Sequence, residues 1–128
     1  FDYALLPHDG MFSAASVIRP AYEFNIPVIA VPGCSAAEMS LASVDAANVL
    51  IETVKWSEDG KALVLRLYEA EGALTRCILS FGVKVMRAAA ASMLEEEYGE
   101  LAIVDNRLEL EFRPFEIKTI RVEVAGQD

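Results

Sequence analysis

At 128 residues with 54% apolar side chains, the chain can bury one sizeable core, and a mean hydropathy of +0.31 is rich enough to expect some surface to face another domain. A formal charge of −9, from 11 Lys and Arg against 20 Asp and Glu, excludes the clustered basic surface that nucleic acid requires, disfavours anionic membranes and leaves neutral sugars compatible. No apolar run reaches the roughly 18–20 residues of a membrane span, so no membrane partner is expected. Phe1 rather than Met opens the chain, inside a run that reads as a strand, so a piece of something longer is expected. Cys34 falls in a loop and Cys77 in a strand, unlike settings that favour two free thiols over a disulfide. The thiols and the lack of an Asn-x-Ser/Thr site point to a cytoplasmic location.

In chain order, Phe1–Leu6 reads as a short strand leading into Pro7-His8-Asp9-Gly10. Asp9 is placed to cap a helix over residues 11–24, which Pro20 would kink or end near Arg19. Asn25-Ile26-Pro27 closes that element, and Val28–Val31 reads as a short buried strand. Pro32–Ser40 reads as a linker and Leu41–Val44 as a strand. Val49–Gly72 is the organising stretch: two apolar runs flank Ser57-Glu58-Asp59-Gly60-Lys61, a hairpin signal. Leu63, Leu65 and Leu67 alternate with Val64, Arg66 and Tyr68, so the leucines are expected to face the core and Val64 the opposite side. Pairing Trp56 with Ala62 would set Glu52 opposite Arg66 and Val54 opposite Val64.

Leu74–Phe81 alternates weakly and Gly82 breaks it or marks a bulge. Val83–Glu97 has helix-favouring composition, but its neighbours are strands, and it is expected to be mostly strand. Leu101–Val104, Arg107–Phe112 and Phe115–Val124 complete the strands, with a tight turn at Asp105-Asn106 and a crossing between sheets at Arg113-Pro114. The expected fold is mainly β, an antiparallel β-sandwich with one short helix near the N-terminus.

Specific residues carry a family resemblance. Ser43, Val44, Asn48, Val49, Ile51–Lys55, Glu58-Asp59-Gly60, Leu63–Ala70 and Gly72 follow a long pattern typical of the C-terminal β domain of family-38 glycoside hydrolases, the α-mannosidases. Trp56 and Ser57 depart mildly from it, at the turn. Tyr3-Ala4-Leu5, Pro7-His8, Gly10, Ala21-Tyr22-Glu23, Asn25 and Pro27 resemble the family's preceding segment, and Arg113–Val122 its terminal run. The resemblance implies a strand across 83–97, of whose usual ending Leu94 and Glu95 remain. It also implies that residues 1–31 are the C-terminal edge of a preceding β-sandwich (strand, helix, strand). Residues 32–40 are then the linker and 41–128 the C-terminal sandwich. The parent would be a zinc-dependent, retaining enzyme that hydrolyses terminal α-mannosyl residues. In it this chain would support the catalytic barrel and assembly. The preceding domains would be its partners, and mannose-containing sugars would be met through the parent. Alternatives are a carbohydrate-binding module or a protein–protein interaction sandwich.

Glycoside hydrolysis needs two placed carboxylates, and mere abundance of acids does not supply them. Glu52 and Glu69 are expected to pair with Arg66 and Lys55 across strands, Glu95-Glu96-Glu97 to form a solvated turn, and Glu116 to support the strand crossing. His8 is the only histidine, and zinc is not bound by one His and scattered acids. The family's zinc belongs to a barrel whose ligands, nucleophile and acid have no counterpart among these residues. No catalytic, cofactor or metal residue is therefore expected here. Sugar contact, if any, would fall to Trp56 and Tyr68, with His8 and Asp9 in a loop as further candidates. With the partner strands of 1–31 missing, the chain is expected to self-associate through that segment.

Overall fold

Alternating apolar and polar side chains build eight antiparallel strands in the C-terminal part: β1 (Ala42–Val44), β2 (Val49–Trp56), β3 (Leu63–Glu69), β4 (Thr75–Phe81), β5 (Val85–Ala91), β6 (Glu97–Glu100), β7 (Arg107–Phe112) and β8 (Ile117–Val124). The structure, a computed structural model, describes residues 3–26, 28–33 and 38–126. It divides into two units, Phe1–Ala37 and Glu38–Asp128, the division falling inside the segment read as a linker.

In the second unit, β1-β4-β7 form a three-stranded sheet and β2-β3-β8-β5-β6 a five-stranded one. Their facing sides meet in a single core. Leu63, Leu65, Leu67, Ile120 and Val122 come from the larger sheet, and Cys77, Leu79, Phe81, Leu108, Leu110 and Phe112 from the smaller. The expected sandwich is present, and β5 and β6 confirm 83–97 as largely strand. The Arg113–Glu116 connection carries the chain from the smaller sheet to the larger, as Pro114 suggested. Glu116 supports that crossing: its carboxylate accepts from the Arg113 N–H at 2.8 Å and its own N–H donates to the Arg113 carbonyl at 3.0 Å.

Several expectations need correction. Trp56 pairs with Leu63 rather than Ala62, Val54 with Leu65 and Thr53 with Arg66, leaving Glu52 at a bulge. The cause is local: the Ser57 N–H donates to the Ala62 carbonyl at 2.8 Å, and the Ser57 hydroxyl accepts from the Ala62 N–H at 3.0 Å and donates to Asp59 at 2.6 Å, so Ser57 faces Ala62 and closes the loop one step beyond the Trp56–Leu63 pair. Val64 is as buried as Leu65, at 0% and 1% exposure, because the outer side of the larger sheet is itself partly covered. Leu101–Val104 forms no strand beyond a single bridge from Val104 to Arg107 around the Asp105-Asn106 turn, and the strand before it is Glu97–Glu100.

Two connections depend on special backbone positions. A Cβ at Gly82 would lie 1.9 Å from the Ser40 carbonyl oxygen, so only glycine lets the chain leave β4 there. Asn106, at φ 63°, donates from its amide to the carbonyls of Phe81 and Val83, each at 2.7 Å, and accepts from the Val85 N–H at 2.8 Å. One side chain thereby satisfies the backbone that steps from β4 to β5.

In the N-terminal unit Ser13, not Asp9, caps the helical segment, accepting from the Ser16 N–H at 3.1 Å. A π turn over Ala14–Ile18 leads into α1 (Arg19–Asn25). Pro20 lies in the first turn of α1, where a missing N–H leaves no bond unmade, and so opens a helix rather than closing one. Neither Tyr3–Leu6 nor Val28–Val31 is strand: a strand is held by a ladder, and none of the described strands pairs with either. Phe1, Asp2, Pro27 and Cys34 lie outside the described residues.

Candidate functional site

Charged side chains concentrate on the outer side of the five-stranded sheet. Successive residues of a strand point to opposite faces, so while Ile120 and Val122 enter the core, Thr119, Arg121 and Glu123 point away from it, as do Val64, Arg66 and Tyr68 on β3. The 92–96 loop between β5 and β6 folds over part of this side, held by the Ser92 hydroxyl, which accepts from the N–H groups of Leu94 and Glu96. Glu95, at φ 67°, turns its carboxylate down to Lys55, 2.6 Å away, and to the Glu58 N–H at 2.9 Å. Arg121 contacts Asp59 at 3.0 Å and Glu97 at 3.4 Å, and Arg87 pairs with Glu97 (2.6 Å), Glu123 (3.2 Å) and Glu100 (3.3 Å).

These contacts set the protonation states. Lys55, with the Glu58 N–H, holds the Glu95 carboxyl below the usual range, and Arg87 does the same to Glu97. The Ser57 hydroxyl and Arg121 hold Asp59 well below the usual carboxyl range. Glu95 and Glu97 are therefore ion-pair residues rather than a freely solvated turn; Glu95 is buried, while Glu96 and Glu97 remain exposed, Glu97 with its carboxylate held by Arg87. The loop's backbone turns Glu95 inward, and a charge run shows no such direction.

Arg66 lies on the same side at the border of that loop. Its Nη2 donates to the Met93 carbonyl at 2.9 Å, and its Nε is buried without a hydrogen-bond partner. No ion pair to Arg66 occurs among the described residues, so the expected Glu52–Arg66 pair is absent; Glu52 instead accepts from the adjacent Thr53 hydroxyl. Around Arg66, Ile117 and Met93 are 62% and 57% exposed. Ile117 is registered opposite Tyr68, and Thr119 opposite Arg66.

Glu69 does not pair with Lys55. It continues the inward stripe of Leu63, Leu65 and Leu67 and is 1% exposed. Its carboxylate accepts from Asn48 Nδ2 (2.8 Å) and from the N–H groups of Glu71 (2.8 Å), Gly72 (2.7 Å) and Phe115 (3.0 Å). Burial pushes its pKa up, but the donors, led by Phe115 and Glu71, outweigh it and hold the group below its ordinary value. Glu69 thus ties the start of β2, the end of β3 and the β7–β8 crossing together. An acid at an inward position of an apolar stripe was the sequence signal for it.

Within the sandwich, two residues read as sugar contacts, Trp56 and Tyr68, lie on opposite sides of the larger sheet. Trp56, 52% exposed, is registered with Leu63 and shares its side of the sheet, while Tyr68, five residues along β3 from Leu63, lies on the other. His8 and Asp9 belong to the N-terminal unit, where the His8 ring contacts the Asp9 carbonyl at 3.4 Å. Asp59, Glu69, Glu95, Glu97 and Glu116 are all held below the usual carboxyl range, the opposite of what a general acid needs at neutral pH. Burial pushes the Cys77 thiol up to about 11, away from nucleophilic thiolate. Among the described residues no three His, Cys, Asp or Glu side chains are grouped to hold a metal ion. No described helix is long and apolar enough to cross a membrane. The ion pairs and backbone contacts of these carboxylates suit them to hold the elements of the sandwich together.

Residues 48–120 match the family described as the glycosyl hydrolases family 38 C-terminal beta sandwich domain. Alpha-mannosidase 2C1 of Homo sapiens is 41% identical over 128 residues, and that of Mus musculus 40%. Alpha-mannosidase G of Dictyostelium discoideum is 28% identical over 132 residues. Each alignment covers 94% of this chain and 12% of the relative, so the chain spans about an eighth of their length.

Proposed function

The chain belongs to the family of glycosyl hydrolase family 38 C-terminal beta sandwich domains, and from that membership we propose that it is the non-catalytic C-terminal domain of a longer α-mannosidase-like enzyme. The parent hydrolyses terminal α-mannosyl residues of oligosaccharides, with zinc and both catalytic carboxylates in a barrel outside this sequence; the donors present here do not fit a zinc site. The sandwich supports that barrel and the assembly of the enzyme. Residues 1–31 supply the edge of the preceding sandwich, and the protein works in the cytoplasm. The observation that carries the reading is the family match across the hairpin and all but the end of β8, joined to carboxylates committed to ion pairs and backbone donors.

The test has two arms. The 128-residue chain is assayed with an aryl α-mannoside, with and without zinc or cobalt, and no turnover above buffer is expected. In the parent enzyme, deletion of residues 41–128 is expected to abolish stable, active protein. Turnover that survives repurification, or a deleted parent with full activity and stability, overturns the proposal. A carbohydrate-binding role has one supporting observation, the half-exposed Trp56 on edge strand β2. Titrating mannosides while following Trp56 fluorescence tests it, and an unchanged spectrum at millimolar sugar rejects it.

A further inference from the structure

The three half-buried arginines of the sandwich, Arg66, Arg87 and Arg121, all point from the outer side of the five-stranded sheet. Two are neutralised: Arg87 by three glutamates and Arg121 by Asp59 and Glu97. Arg66 has no ion pair among the described residues: its Nη2 donates to the Met93 carbonyl, and its Nε, like that of Arg121, is buried without a hydrogen-bond partner. A guanidinium has five donors in a fixed fork and a strong preference for a carboxylate. Leaving one desolvated and unpaired is unfavourable, and in native proteins each such atom has a reason.

The 92–96 loop borders the other part of the face, where Met93 reaches Arg66 and Thr119 and the strip beyond it toward Ile117 is open. Arg66 there adjoins Ile117, which is 62% exposed, and Met93, which is 57% exposed. Tyr68 extends the patch as the registered partner of Ile117. A cation among apolar side chains is a common composition for the centre of a protein interface. A solvated sugar offers no carboxylate to such a site unless it is an acidic sugar, and the apolar surround suits protein better.

We infer that this part of the face docks another domain of the same longer polypeptide, which brings a carboxylate to Arg66 and apolar side chains to Ile117 and Met93. The inference rests on the proposed function, which gives the chain a parent of which it is a minor part. It goes further by naming the contact surface and the chemistry of what meets it.

Hydroxyl-radical footprinting of the isolated chain and of the full-length parent tests both levels. Met86, 60% exposed, is the internal control for Met93. It lies next to Val85, which pairs with Val124, so it sits at the far end of β8 from Ile117, on the order of 20 Å away. In the isolated chain the two methionines should oxidise at similar rates. In the parent, Met93 should slow at least five-fold and Met86 should not. Arg66→Gln in the parent should return Met93 toward its rate in the isolated chain, while Arg66→Lys, which keeps the charge, should retain most of the protection. Circular dichroism of each variant separates undocking from unfolding.

Protection of Met86 in place of Met93 would leave the supporting role standing and overturn this surface. Equal, undiminished oxidation of both in the parent would overturn this surface, and the supporting role would then stand or fall by the deletion of residues 41–128. Full protection of Met93 in folded Arg66→Gln would overturn the carboxylate contact. Met93 protection that grows with concentration of the isolated chain would assign the face to a second copy and overturn the intramolecular partner.

Discussion

Glu69→Ala strips the acceptor from four donors at once: the Asn48 amide and the N–H groups of Glu71, Gly72 and Phe115. An orphaned buried donor costs about 1–3 kcal/mol, and because the four relax together the total should be on the order of 3–5 kcal/mol in denaturant titrations. Because the folded-state pKa of Glu69 is below its ordinary 4.5, its stabilisation is fully present above that pH and is lost as pH falls through the folded value. Unfolding midpoints measured down from pH 5 should therefore fall less steeply for Glu69→Gln than for the unsubstituted chain. Leu65→Ala should cost roughly 2–5 kcal/mol. Val64→Ala should also be costly, about 2 kcal/mol from two lost methyl groups and the space they leave, since its side of the sheet is closed by the 92–96 loop and its ion pairs. A negligible loss at Val64 would show that loop to be open in solution. Single-residue roles were the least legible part of the sequence. Glu69, Glu95 and Glu97 are chemically alike, and only the backbone around each decides whether it is a keystone, a clasp or a bridge.

The elements themselves were largely readable, because a period of two is written directly into Leu63–Leu67, Leu108–Phe112 and Ile120–Val124. The hairpin register slipped by one because a side chain took over a backbone role: Ser57 Oγ accepts from Ala62, and no propensity scale records that substitution. Residues 101–104 were overread for a related reason, as apolar residues beside a tight turn need not find a ladder. The step from β4 to β5 offers the sharpest test at this level. Gly82→Ala sets a methyl against the Ser40 carbonyl, a backbone atom that cannot swing away, and should prevent cooperative folding or shift the thermal midpoint by more than about 10 °C. Asn106→Ala leaves the Phe81 and Val83 carbonyls and the Val85 N–H without their partner and should cost about 2–4 kcal/mol. Calorimetry on both variants checks the pair.

At the scale of the whole molecule, the N-terminal unit exposes much apolar surface: Tyr3, Leu5, Met11 and Val28 are each more than four-fifths exposed. Burial at roughly 25 cal/mol per Å² can outweigh a repulsion that salt screens within about 8 Å, so the 128-residue chain should form dimers or larger species. Removing residues 1–31 should give a smaller, more monomeric species by light scattering, and a clean full-length monomer at tens of micromolar would refute this. The sandwich could be read from strand periodicity and turn signals. Strands at 1–6 and 28–31 were read from apolar composition, which cannot say whether a partner strand exists to receive them.

The order of strands in the larger sheet has a consequence for how the protein is made. β8 lies between β3 and β5, so the β2-β3 and β5-β6 pairs are joined in one backbone ladder only through it, with the Lys55–Glu95 and Arg66–Met93 contacts reaching across its outer face. During synthesis these two hairpins leave the ribosome first, and each is an open-edged ribbon too small to be stable by itself. The sheet closes only when Ile117–Val124 has emerged, making the last of the described strands the central one and the folding of this sheet all-or-none with respect to it. A premature stop between Glu100 and Ile117 should leave two aggregation-prone ribbons in place of a slightly weakened domain, visible as protease-sensitive nascent chains, whereas longer chains become resistant once β8 clears the exit tunnel.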